Sequence, residues 1–132
     1  KEIGVSAFAN CSSLYKVVFN EGLETIGEQA FFNCIRMGYI DIPSTITTVG
    51  KDSFSFSTTG IELVIRTNEF FGGLYKAFSS SLIDCKTNNR LYVLADLKEQ
   101  YSSSSYKTKF AEFYTIDELD VTGDRYSSCK KF

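Results

Sequence analysis

The sequence predicts a solenoid: a stack of short parallel β-strands and turns in units of about 23 residues, closed by a C-terminal cap. Three observations carry this reading. First, Ile3-Gly4-Val5-Ser6-Ala7-Phe8-Ala9-Asn10-Cys11 returns as Ile26-Gly27-Glu28-Gln29-Ala30-Phe31-Phe32-Asn33-Cys34, with Ile, Gly, Ala, Phe, Asn and Cys recurring 23 residues apart. Second, Val49-Gly50-Lys51-Asp52-Ser53-Phe54 repeats the same spacing. Third, the apolar positions downstream keep step. Leu14, Val17 and Phe19 map onto Met37, Ile40 and Ile42, then onto Gly60, Leu63 and Ile65, while Leu23 maps onto Ile46.

Within a unit, L-x-x-V-x-F reads as a short strand of alternating burial, Val17 and Phe19 inward and Val18 outward. Strands are expected at 16–19, 39–42, 62–65 and 91–93, paired in parallel, with Phe8, Phe31, Phe54 and Phe78 stacked inside. Glu21-Gly22 and Pro43-Ser44 supply turns. Leu23-x-x-Ile26-Gly27 gives a second extended segment, whose glycine is expected to turn the corner at positive φ. The Ala-Phe pair follows on a short helical or irregular turn. A fourth copy is degenerate: Ala77-Phe78 lies 24 residues after Ser53-Phe54, and Leu91 and Val93 lie 28 after Leu63 and Ile65. The extra residues fall in polar stretches around Ser79-Ser80-Ser81 and Lys86-Thr87-Asn88-Asn89, where insertions are tolerated.

These units divide the chain into repeats over 1–93 (3–25, 26–48, 49–72 and the degenerate 73–95), a capping segment 94–119 and a polar tail 120–132. In the cap, Asp96 is placed to start a helix through Leu97 and Tyr101, which share a face at i, i+4. Ser102 to Ser105 weakens that helix. Phe110, Phe113, Tyr114 and Ile116 are expected to fold back over the last repeat, because an open solenoid end exposes core and strand edge. The tail is expected to be poorly ordered or held only by contacts.

The pattern I-G-x-x-A-F-x-x-C-x-x-L-x-x-V-x-F/I-P-x-x-L/I-x-x-I/V-G resembles the BspA-type leucine-rich repeat, a family found mostly in bacterial and protist surface proteins. The resemblance covers residues 3 to about 65 closely and 66 to 93 loosely. Leu91 to Tyr101 resembles the terminal segment of such arrays, with Leu94 where that segment commonly carries proline. The resemblance implies a leucine-rich-repeat solenoid acting as a non-catalytic binding or adhesion module, cell-surface or secreted, that contacts host or extracellular-matrix protein. A structural spacer displaying other domains is the alternative, and an enzyme a distant third.

Composition narrows the chemistry. A chain of 132 residues, 43% hydrophobic and 23% charged, belongs to the globular class with one modest core. A net charge of -2 offers no electrostatic reason to expect nucleic acid or an anionic membrane. No apolar run approaches the roughly 20 residues that span a bilayer. The absence of histidine removes the usual general base and the commonest metal ligand. No P-loop, G-x-G-x-x-G, G-x-S-x-G or calcium-loop spacing is present, so neither cofactor nor metal is expected. Asp41, Glu62 and Asp84 read as solvated carboxylates rather than an acid/base pair.

Cys11, Cys34, Cys85 and Cys129 lack C-x-x-C spacing, which argues against zinc. Cys11 and Cys34 share a repeat position that Ser57 fills in the third copy, as a ladder of small buried side chains would. A redox or ligand pair is the competing reading. Cys85 and Cys129 lie outside the ladder, and their mutual pairing stays open. Asn10-Cys11-Ser12 matches a glycosylation sequon, but Asn33-Cys34-Ile35 lacks the hydroxyl, so a structural repeat position explains both asparagines better.

The candidate interaction residues are the outward columns of the main strands: Lys16, Val18 and Asn20; Tyr39, Asp41 and Pro43; Glu62, Val64 and Arg66; and Tyr92. Stacking sets them side by side on one sheet face, whose mix of Tyr, Val and both charge signs suits protein recognition. An ordinary solvated surface is the competing reading. The opening Lys1-Glu2-Ile3-Gly4 reads as mid-repeat, with any secretion signal on a preceding part. That expectation leaves Ile3, Phe8, Leu14, Val17 and Phe19 uncovered and predicts end-to-end self-association through the N-terminal repeat.

Overall fold

The computed structural model describes residues 1–54, 61–72, 89–108 and 110–118. Among them the elements run β1 (Glu2–Ile3), β2 (Lys16–Val18), β3 (Thr25–Ile26), β4 (Tyr39–Ile42), β5 (Thr48–Val49), β6 (Glu62–Ile65) and β7 (Arg90–Val93). A 3-10 turn (Ala95–Leu97), α1 (Lys98–Ser102), a second 3-10 turn (Ser105–Thr108), β8 (Glu112–Thr115) and a last 3-10 turn (Ile116–Glu118) follow.

The main strands form one parallel sheet in the order β2-β4-β6-β7-β8, and β1-β3-β5 form a second. Register follows the repeat. Lys16 faces Tyr39 and Tyr39 faces Glu62, each step being one 23-residue unit. The chain is a solenoid of parallel strands, as the sequence predicts. Between the sheets lies the predicted core: Ile26, Met37, Ile40, Ile42, Leu63, Leu91 and Val93 are all fully buried.

The Ala-Phe turns make a third ladder. Phe8 N donates to Ala30 O at 2.7 Å and Asn10 N to Phe32 O at 2.8 Å; one unit on, Phe31 N donates to Ser53 O at 2.8 Å. Through this ladder the rings stack, Phe8 on Phe31 at 5.2 Å and Phe31 on Phe54 at 5.4 Å, both pairs within 7° of parallel. Phe31 and Phe54 are buried as expected, whereas Phe8 is 43% exposed, which corrects the expectation of inside stacking for that ring and agrees with an uncovered N-terminal layer. Its ring has an aromatic neighbour in the following unit and opens onto solvent. Phe78 lies outside the described residues.

The same positions of each unit adopt left-handed backbone: Ser6, Gln29 and Asp52 at φ near 57°, 55° and 57°, and Asn10 and Asn33 at 64° and 63°. Asparagine tolerates that region better than most residues, which accounts for its recurrence. Asn33 Nδ2 also donates to Asn10 Oδ1 at 2.9 Å.

The unit glycines play a different part from the one expected. Among the described residues the positive-φ glycine is Gly22, at 107°, in the turn after β2. Gly27 and Gly50 instead permit close stacking. A Cβ on Gly27 would sit 2.7 Å from Val5 N, and one on Gly50 would sit 2.5 Å from Glu28 N. The equivalent Gly4 has nothing within 4 Å.

Two details of the cap also differ. Asp96 does not cap α1; Leu97 occupies that position without a side-chain hydrogen bond, and Leu94 does the same for the preceding turn. The segment expected to fold back as one apolar cluster contains a strand. Two-residue alternation therefore splits it, Phe113 packing toward the main core and Tyr114 toward the opposite face. Tyr101, Tyr106 and Phe110 are buried against the last repeats. Phe71 N donates to the Tyr101 hydroxyl at 2.8 Å, while the Tyr106 hydroxyl donates to Phe71 O.

Candidate interaction face

Parallel register brings the outward positions into two rows. One reads Lys16, Tyr39, Glu62, Arg90 and Glu112; the other reads Val18, Asp41, Val64, Tyr92 and Tyr114. Arg66 follows directly after β6, its amide bonded to Ile42 O at 3.1 Å. Lys16, Val18, Tyr39, Asp41, Glu62, Val64, Arg66 and Tyr92 therefore lie on one face, as the spacing placed them.

Their exposure corrects the expectation of an open surface. Tyr39, Asp41, Glu62, Val64 and Tyr92 are between 0% and 8% exposed. Pro43 is buried too, whereas Asn20 is exposed. Tyr39, Val64 and Tyr92 form a second apolar cluster, against which Tyr114 and Ile116 pack. The Tyr92 and Tyr114 rings stack at 5.3 Å. Accessible surface is left at Val18, 54% exposed, and partly at Lys16 and Arg66.

Polar groups on this face satisfy one another. The Arg66 guanidinium grips Asp41 through Nε at 2.7 Å and Nη2 at 2.8 Å, and that hydrogen bonding holds its proton more tightly than usual. The Tyr39 hydroxyl donates to Asp41 at 3.3 Å, and Lys16 Nζ lies 5.4 Å from the Tyr39 ring centre. The Tyr92 hydroxyl donates to Glu62 at 2.9 Å. Arg90 Nε donates to Glu112 at 2.8 Å, with Nη1 3.7 Å from Glu62. The Tyr114 hydroxyl also donates to Glu112, and that hydrogen bond, with smaller contributions from burial and the Glu112 charge, pushes the phenol pKa upward.

Asp41 and Glu62 are thus each committed to a cation and a tyrosine rather than forming an acid/base pair, and Asp84 lies outside the described residues. Among the described residues no group of three or more Cys, Asp or Glu could hold a metal ion. None of the described helices is long and apolar enough to cross a membrane.

Arg90, Glu112, Tyr114 and Ile116 were not among the sequence candidates. Arg90 was within reach, since it lies 28 residues after Glu62, the offset that links Leu63 to Leu91. Glu112 and Tyr114 sit on β8 and Ile116 opens the 3-10 turn after it, a segment with no counterpart in the repeat.

The face runs at β2 into an apolar depression of about 400 Å³, floored by Ile3, Phe8, Leu14, Val17 and Phe19 and bordered by Lys16 and Val18. Cys11 and Cys34 lie in the adjoining turns as free thiols, half-buried and buried respectively. Cys85 and Cys129 lie outside the described residues.

A family model described as a BspA type leucine rich repeat region (6 copies) matches residues 1–106. No curated protein and no solved structure matches the chain.

Proposed function

The chain belongs to the BspA-type leucine-rich repeat family, and on that premise we propose that it is a non-catalytic protein-binding module of a bacterial cell-surface or secreted protein. The supporting observation is the accessible margin of the sheet. Val18 is an apolar side chain 54% exposed at the end of β2, two residues after Lys16 and continuous with the apolar depression. An apolar centre with a basic rim, on a rigid strand, has the make-up of a protein contact. Tyr39, Asp41, Glu62, Val64, Arg66 and Tyr92 hold that margin in place, and Arg66 extends its basic rim.

Capture of extracellular-matrix or host-surface proteins by the immobilised chain tests this. Specific capture lost on Val18→Asp and Lys16→Glu supports binding. No specific capture, or capture indifferent to both variants, points to the spacer role. Tyr39→Ala and Tyr92→Ala are poor probes, because both side chains are buried and their loss would weaken the fold itself.

We propose in addition that this chain associates end to end through Ile3, Phe8, Leu14, Val17 and Phe19. Phe8 at 43% exposure, beside an unsheathed β2 edge, supports that reading. Sedimentation across a wide concentration range should show a dimer that Phe8→Lys abolishes; a strict monomer at every concentration contradicts it.

A further inference from the structure

We propose that Cys11 and Cys34 form a redox-sensitive staple that ties the first repeat to the second. Both are free thiols at equivalent positions of adjacent units. Two contacts bring them to one point. Cys34 Sγ donates to Phe8 O at 3.2 Å, and Cys11 N donates to that same oxygen at 3.3 Å. The sulfur of Cys34 therefore lies over the Cys11 turn rather than pointing into its own unit. The flanking Asn10–Asn33 hydrogen bond and Phe8–Phe31 stack fix the alignment on either side. Parallel neighbours lie about 4.8 Å apart, inside the roughly 4.4–6.8 Å Cα separation that a disulfide spans.

Accessibility sets the order of events. Cys11 is half-buried, whereas Cys34 is fully buried. The Cys11 thiolate attacks a low-molecular-weight disulfide such as glutathione disulfide, forming a mixed disulfide and releasing one small thiol. Cys34 then loses its proton and attacks the Cys11 sulfur, expelling the second small thiol. Two protein thiols and one small disulfide become one protein disulfide and two small thiols. Burial raises the Cys34 thiol pKa, so closure should quicken as pH rises.

The consequence falls on the first repeat. Its layer of Ile3, Leu14, Val17 and Phe19 is only half-buried, whereas Ile26, Met37, Ile40 and Ile42 of the next unit are fully buried. A cross-link to the buried second unit removes its freedom to fray.

The test is oxidation of the intact chain with glutathione disulfide, followed by alkylation and non-reducing tryptic mapping. Cleavage after Lys16 and Arg36 separates the two cysteines into different peptides. Recovery of these peptides joined, and a Tm rise of roughly 10 °C on oxidation that Cys34→Ser and Cys11→Ser each remove, support the staple. Both variants, read in the reduced state, report whether the fold is retained; the mapping alone decides where it is not. Both peptides recovered as alkylated free thiols, or either joined instead to the Cys85 or Cys129 peptide, would overturn it.

Discussion

The carboxylate of Asp41 and the guanidinium of Arg66 meet side on, Nε to Oδ1 at 2.7 Å and Nη2 to Oδ2 at 2.8 Å, across 25 residues of sequence. The pair joins β4 to the end of β6, with its carboxylate buried and its cation about a third exposed. Charge-assisted hydrogen bonds of this type are worth about 1.5–3 kcal/mol when buried, and the exposure of Arg66 moves this one to the lower end. Asp41→Asn should cost about 1–2 kcal/mol in urea denaturation. A change under about 0.3 kcal/mol would show that the contact is ornamental.

The stacking glycines give a sharper contrast. At Gly27 an added methyl meets backbone atoms of the first unit at 2.7 and 2.8 Å, and backbone cannot swing aside as a side chain can. Gly27→Ala should cost about 2–3 kcal/mol, as overpacking does. Gly4→Ala, with no atom within 4 Å, should stay within about 0.5 kcal/mol in this chain. Equal effects at the two positions would contradict the stacking explanation.

Aromatic stacking predicts a gradient along the ladder. Phe31 lies between two parallel rings and is 1% exposed, whereas Phe8 is 43% exposed. Phe31→Ala should therefore cost about 3–5 kcal/mol and Phe8→Ala about 1–2 kcal/mol. Denaturant midpoints at constant m-value would read both.

Acid should erase one small contribution selectively. The Glu21 carboxylate accepts hydrogen bonds from Ser44 Oγ at 2.6 Å and Ser44 N at 3.1 Å, which hold its pKa below the usual carboxylate value. A carboxylate whose folded pKa is lowered stabilises the fold above its unfolded pKa, and that stability is lost as pH falls through the folded value. Ser44→Ala should be less stable than the parent at neutral pH, and the difference should shrink in strong acid. A gap that widens on acidification would reverse the sign of the argument.

Legibility in the sequence followed periodicity. β2, β4, β6 and β7 were readable because Leu14-x-x-Val17-x-Phe19 recurs on a fixed spacing, so each strand corroborated the next. β8 belongs to no repeat, and Phe113-Tyr114 alone does not say whether a segment pairs or merely covers. Alternation also placed Tyr39, Glu62, Val64 and Tyr92 on one face correctly. It gives a side chain's direction, however, and not what lies across it. The burial of that face comes from tyrosines of neighbouring units and from Tyr114 and Ile116, contacts that no single strand encodes. The glycine reading failed similarly: local geometry suggested a turn, while the constraint comes from the adjacent unit's backbone.

The most direct test of the whole account is the strand register in solution. Nuclear Overhauser contacts between backbone protons of isotopically labelled chain should connect Lys16 with Tyr39, Tyr39 with Glu62, Glu62 with Arg90 and Arg90 with Glu112, in the pattern of parallel strands. Antiparallel contacts between β2 and β4, or a one-residue slip that carries Ile40 and Leu63 to the outward face, would contradict it.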